Sequence, residues 1–361
     1  MTLKLDPKSS ERLTILKFPL IVGVVFIHAY VKKTGEEIDG LGSESSLLVL
    51  EFLRNFISQG IARLAVPLFF LMSGYLFFYG FDFSLESFFK KLKSRVKTLL
   101  IPFLLWNLAT LALVALIQAN PLVKEFFGWK VGWVSSYSFN DYLAAIFGIG
   151  RAPVAYQFWF VRDLMLLILG VPLFHFLFKY LPLPFLFLLF LGWISGYWPI
   201  YVPHAEATLF FSIGAFIGTK GKSLFALDRY GIYAIALYFP LALANAYFFT
   251  SVFYPYLHRI GILFGVISGL FFTQFLMESP RVKKALIGLS GVSFFVFAAH
   301  EPLLTLTRNI LSQNFWPQSP KSAFGPYLFT PILVLILLVL TYSLFSKVAP
   351  RLLNLVTGGR N

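Results

Sequence analysis

The chain has 361 residues, of which 58% are hydrophobic and only 13% charged. Soluble domains carry about 25% charged residues, so this chain cannot cover a solvated surface of its size, which excludes a soluble enzyme and a disordered protein. With no cysteine, a disulfide framework, a thiolate metal site and a cysteine acyl-enzyme are excluded as well. The net charge of +14 fits Lys and Arg retained in cytoplasmic loops and calls for no nucleic-acid partner.

Apolar runs long enough to cross a bilayer begin near Thr14, Gly60, Thr98, Tyr156, Leu181, Ala207, Tyr230, His258, Leu289 and Pro326. They predict an all-α integral membrane protein of about ten transmembrane helices. The expected organisation is a single polytopic domain over residues 1–361, with no fused extracellular domain. The first run, ILKFPLIVGVVFIHAY, holds Lys17 and His28 and lacks a small-residue cleavage site, so it reads as a retained anchor. If the N-terminus is cytoplasmic, 18 of the 30 Lys and Arg fall on the inner side and 9 on the outer, while Lys17, Arg63 and Arg162 lie in or at the edge of spans. That excess predicts that both termini are cytoplasmic.

Two outer loops are long. Residues 32–59 are acidic at first and then run into LLVLEFLRNFI, an amphipathic stretch expected at the interface. Residues 119–155 contain YLAAIFGIG, too short to cross. No internal repeat of the kind that marks many transporters is visible.

An ionisable residue inside a span is costly and marks a functional candidate. Lys17 and His28 are 11 residues apart, three helical turns, and so share one face about 16 Å apart along the axis. A histidine there can act as a general base near neutral pH. Arg63 enters the second span, followed by Pro67 and by Ser73-Gly74, a pair that permits close helix packing. The fourth span opens YQFWFVRDLMLL and carries Arg162 and Asp163; the ninth reads LSGVSFFVFAAHEPLL and carries His300 and Glu301, of which at most one faces a shared cavity. The expected topology collects His28, Arg63, Arg162, Asp163 and His300 in the outer half. Lys17 lies deeper, and a polar path then runs from an inner basic entrance to an outer histidine. His175, His204 and His258 read as interfacial residues.

Taken in order, these segments resemble the integral-membrane acyltransferase 3 family, whose members transfer acetyl or related acyl groups to cell-surface carbohydrates. The resemblance rests on Lys17-x10-His28, RLAVPLFFLMSGYLFF, the basic segment KSRVKTLLIPFLLW, FWFVRDL and SFFVFAAHEPLL. It implies a ten-helix core in a bacterial inner membrane, a cytoplasmic acyl-CoA donor (acetyl-CoA above others), and a carbohydrate or lipid-linked glycan acceptor on the far side. His28 matches the family's catalytic histidine and Lys17 its basic donor-linked partner. In the family's Arg-x-x-Arg motif Arg95 matches the first Arg, but Thr98 stands at the second position, with Lys97 beside it.

The expected function is therefore O-acyl transfer without a metal. Lys17, Arg95 and Lys97 hold the anionic donor, His28 is the base, and Arg63 or Arg162 stabilises the oxyanion, with Asp163 and His300 at similar depth. The competing class is a transporter or flippase for an anionic or lipid-linked sugar, which also needs intramembrane charges.

Overall fold

The computed structural model describes residues 5–30, 44–119, 132–314 and 320–360. Every regular element among them is helical: α1 Pro7–Ala29, α2 Glu44–Asn55, α3 Ala65–Phe78, α4 Leu85–Arg95, α5 Ile101–Ala119, α6 Phe139–Phe147, α7 Trp159–Leu169, α8 Val171–Tyr180, α9 Pro182–Ser195, α10 Ala205–Thr219, α11 Gly231–Tyr247, α12 Tyr254–Glu278, α13 Pro280–Ser290, α14 Ser293–Asn314, α15 Pro320–Val348 and α16 Pro350–Thr357. Helix is what a bilayer demands, because no water reaches unpaired backbone groups there.

Each of the ten apolar runs coincides with a helix, but their lengths differ. Five helical stretches are long and apolar enough to cross: Pro7–Ala29, Leu48–Phe78, Leu85–Ala119, Tyr254–Glu278 and Phe324–Val348. Two bent pairs raise the number to seven, α7 with α8 at 59° and α13 with α14 at 67°. α9, α10 and α11 have 14, 15 and 17 residues, about 21–26 Å of rise against a hydrocarbon core of about 30 Å. By length, the described residues thus hold five to seven spans, with α9 and α10 as shorter apolar helices besides.

Local chemistry explains the boundaries. Asp6 caps α1, its carboxylate accepting the Ser9 amide at 2.9 Å, with Pro7 at the first helical position. Hydrogen bonds from the Ser9 side chain and amide hold the Asp6 carboxyl below its usual range. LLVLEFLRNFI runs on into the second span: α2 continues through a π turn, Phe56–Ile61, into α3, and buries Leu50 and Arg54. Its polar prelude, residues 32–43, lies outside the described residues. YLAAIFGIG forms the short α6, started by a Ser138–Asp141 capping box and stopped by Gly148 in the left-handed region.

α3 and α10 pack closest. A Cβ on Gly74 would lie 2.1 Å from the Phe211 carbonyl oxygen, and one on Gly214 would lie 1.9 Å from that of Leu71. Backbone contact of this kind needs glycine on both helices. A second lock joins α1 to the turn before α11. Buried Arg12 pairs with Asp228 at 2.5 Å and donates to Thr273 Oγ1 at 2.6 Å and to the Leu270 carbonyl at 2.7 Å. These contacts hold α1, which carries two of the candidate residues, in a fixed rotation.

Candidate active site

Lys17 and His28 border one cavity of about 530 Å³, as their spacing on α1 predicts. Arg63, on the turn before α3, lines its histidine end together with Gln157 and Trp159. Arg95, at the end of α4, lines its basic end together with Ser290 and Arg360. The walls between are mostly apolar, including Ile21, Val24, Val66, Phe69, Leu99, Leu164 and Phe294. Among the described residues, no Asp or Glu side chain lines the cavity. Among the described residues no Asp or Glu oxygen lies within 4.0 Å of Lys17, Arg63, Arg95 or Arg360. Such cations attract anions strongly, because low-dielectric walls leave their charge little screened.

The histidine end is a connected network. His300 is fully buried; its Nδ1 lies 2.7 Å from the Phe297 carbonyl oxygen and its Nε2 2.9 Å from His28 Nδ1. A carbonyl only accepts, so with both rings neutral His300 carries its proton on Nδ1. His300 Nε2 is then the acceptor, His28 Nδ1 the donor, and His28 Nε2 keeps a free lone pair. Tyr156 stacks on the His28 ring at a centroid distance of 4.9 Å and donates its hydroxyl to Glu301 Oε1 at 2.9 Å. Thr305 Oγ1 donates to the same carboxylate oxygen at 3.2 Å.

A helix break creates this geometry. Pro302 has no amide proton, and the residue before a proline is driven out of the helical region; Glu301 accordingly has φ −108° and ψ 136°. The break frees the carbonyl of Ala298, four residues before Pro302, and Gln157 Nε2 donates to it at 2.9 Å. With the regular rotation interrupted, His300 turns toward His28 while Glu301 turns to Tyr156. At most one of this adjacent pair was expected to face the shared site, and His300 reaches it through its bond to His28. Arg63 is oriented by Gln59, whose Oε1 accepts from Arg63 Nε at 2.9 Å.

The remaining candidates lie elsewhere. Arg162 and Asp163 do not line this cavity. Asp163 is fully buried and accepts from Arg162 Nε at 3.1 Å, from the His204 amide at 2.8 Å and from His204 Nδ1 at 2.5 Å. Arg162 also donates to the carbonyls of Gly148 and Arg151 at 2.8 and 3.0 Å. This cluster ties α7 to the N-terminus of α10 and to the turn after α6, and the partly exposed His204 belongs to it. Lys97 is exposed and outside the cavity, two residues after Arg95 and so on nearly the opposite side of the helix. Sequence reading missed Gln157, Tyr156 and Arg360 as partners of the site. Gln157 and Tyr156 sit beside FWFVRDL, but Arg360 carries no local signal.

A second cavity, of about 600 Å³, lies beyond Tyr156 and Gln157 and is lined by Tyr137, Arg151, Glu301, Thr305 and Arg308. The two cavities share Gln157 as a wall.

The chain is 29% identical to the succinoglycan biosynthesis protein ExoH of Rhizobium meliloti (strain 1021) over 369 aligned residues, covering 99% of this chain and 94% of that protein. No solved structure matches. Residues 11–346 match the family described as an acyltransferase domain. With that match along nearly its whole length and five to seven helices able to cross a bilayer, the chain belongs to the acyltransferase family and is a multi-pass membrane acyltransferase.

Proposed function

We propose that the enzyme moves an acyl group from cytoplasmic acyl-CoA to a hydroxyl of a cell-envelope polysaccharide, with His28 as general base. One observation carries the reading: a single cavity has Lys17 and Arg95 at one end and His28 at the other. In this reading the basic end opens to the cytoplasm, and α9, α10 and α11 complete a ten-helix crossing with both termini inside. The similarity to a succinoglycan biosynthesis protein supports a polysaccharide acceptor. Acetyl is the group that the family resemblance implies, and succinyl is the alternative to assay beside it.

Lys17 and Arg95 hold the donor's phosphates, and its thioester reaches the histidine end. The acceptor approaches from the outer side, where the second cavity abuts Tyr156. His28 Nε2 takes the hydroxyl proton as the oxygen attacks the thioester carbonyl. His300 holds the tautomer that leaves this nitrogen free. The negative charge that builds on the carbonyl oxygen meets Arg63, a fixed cation where little water screens it. As the C–S bond breaks, the imidazolium returns the proton to the thiolate, and an ester and free coenzyme A leave.

The test is purified enzyme with radiolabelled acetyl-CoA or succinyl-CoA and an envelope polysaccharide. Label entering the glycan as an alkali-labile ester, and lost in His28→Ala, is the expected result. Glycan movement without acyl chemistry would replace this reading with transport.

A further inference from the structure

The C-terminal segment reaches back to the basic end of the cavity. α16 packs on α5, where Trp106 Nε1 donates to the Val356 carbonyl at 3.0 Å and Leu353 is buried. The helix ends at Gly358, φ +67°, and Gly359 follows at φ +71°, its amide donating to the Asn354 carbonyl at 2.8 Å. A Cβ on Gly358 would lie 2.7 Å from Thr98 Cα and 2.8 Å from the Thr98 carbonyl oxygen. Only a residue without a side chain can turn with positive φ while pressed against that backbone.

This turn delivers Arg360 into the cavity that Lys17 and Arg95 share, its guanidinium carbon 4.2 Å from the centre of the Phe294 ring. Burial, and then the charge of Arg95, pull the Arg360 guanidinium down to about 10, still cationic at neutral pH. Three cations therefore meet at one end of a cavity that, among the described residues, no Asp or Glu side chain lines. Like charges held together repel, and a ligand bearing several negative charges relieves that repulsion.

We propose that residues 358–360 form part of the donor site and that Arg360 is a phosphate-binding residue, selecting thioesters that carry nucleotide phosphates over short thioesters that lack them. The inference rests on the acyl-CoA reading above but makes a separate claim about this segment. Planar and bidentate, the guanidinium suits a phosphate better than an ammonium does.

The test uses the full-length enzyme in lipid nanodiscs with two donors, acetyl-CoA and acetyl-pantetheine, the latter without phosphates. Arg360→Gln should raise the KM for acetyl-CoA by about 10- to 150-fold with little change in kcat. It should leave kcat/KM for acetyl-pantetheine within about twofold. Arg360→Lys should lie between wild type and Arg360→Gln. Gly358→Val should mimic Arg360→Gln although the guanidinium is intact. An unchanged KM for acetyl-CoA, or equal losses with both donors, would overturn the assignment. Direct binding of free coenzyme A separates this inference from the catalytic reading. Salt-sensitive binding that weakens in Arg360→Gln, without any acyl transfer, keeps the phosphate site and removes the catalytic reading. No coenzyme A binding by wild type removes the phosphate site.

Discussion

The buried end of α1 and its middle treat positive charge in opposite ways. Arg12 is enclosed by Asp228, Thr273 and the Leu270 carbonyl, with the Phe225 ring 3.7 Å from its guanidinium carbon. Lys17, five residues on, faces a cavity with Arg95 and Arg360 and, among the described residues, no Asp or Glu. A cation taken out of water needs a counter-charge. Arg12 finds its own within the protein and acts as a fastening. Lys17 has no carboxylate within 4.0 Å among the described residues, and in the proposed function the donor supplies its counter-charge. The same contrast separates two arginines: Arg162 is fully engaged by Asp163 and two loop carbonyls, whereas Arg63 is held by one neutral amide and lines the cavity.

The largest effect short of removing the base belongs to His300. His300→Phe deletes the acceptor for His28 Nδ1–H, and kcat should fall by about 10²–10⁴-fold, as when an orienting partner is lost from a catalytic histidine. His300→Gln, whose amide oxygen can accept the same hydrogen, should recover part of that loss. Equal kcat in the two variants would show that the ring only fills space. Arg12→Ala tests the fastening. It removes the hydrogen bonds of a buried guanidinium, leaving the partly buried Asp228 with Gln274 Nε2 at 2.7 Å, and should cost about 1–3 kcal/mol of stability, read as lost thermal stability of the purified enzyme with the donor KM of the surviving fraction unchanged. A raised donor KM in folded protein would place Arg12 with Lys17 instead. Lys17→Ala should raise the donor KM by about 10- to 150-fold, and Lys17→Arg should keep most activity, because the counter-charge is still supplied. Smallest of all, Lys97→Ala should change donor KM by less than about twofold, as expected of an exposed cation. A larger change would bring Lys97 back to the donor site.

The sequence carried the features that repeat along a helix. Spacing of 11 residues placed Lys17 and His28 on one face, and both line the cavity. Apolar runs located the helices, and Ser73-Gly74 located a close contact. Bends were harder to read: Gly170 and the turn at Gly291-Val292 separate helices that composition joins into single runs. Partners distant in the chain were not legible. The Asp163–His204 bond joins residues 41 apart and the His28–His300 bond residues 272 apart, and neither end encodes the other by spacing. Arg162 and Asp163 are candidates from sequence because buried charge marks function and fastening alike, and the structure pairs them with each other and with His204 outside this cavity. Thr98 stood out as a departure from the family motif, and the structure shows Gly358 packed against it.

The central claim is a division of labour within one cavity, cations binding the donor at one end and His28 reacting at the other. Its most direct test is the full kinetic and binding comparison of His28→Ala with Lys17→Ala on the same acyl-CoA. His28→Ala should lower kcat by about 10²–10⁴-fold while coenzyme A binding stays at the wild-type level. Lys17→Ala should do the reverse, weakening coenzyme A binding while kcat at saturating donor stays within a few fold. Wild-type turnover in His28→Ala, or undiminished coenzyme A binding in Lys17→Ala, would contradict the account.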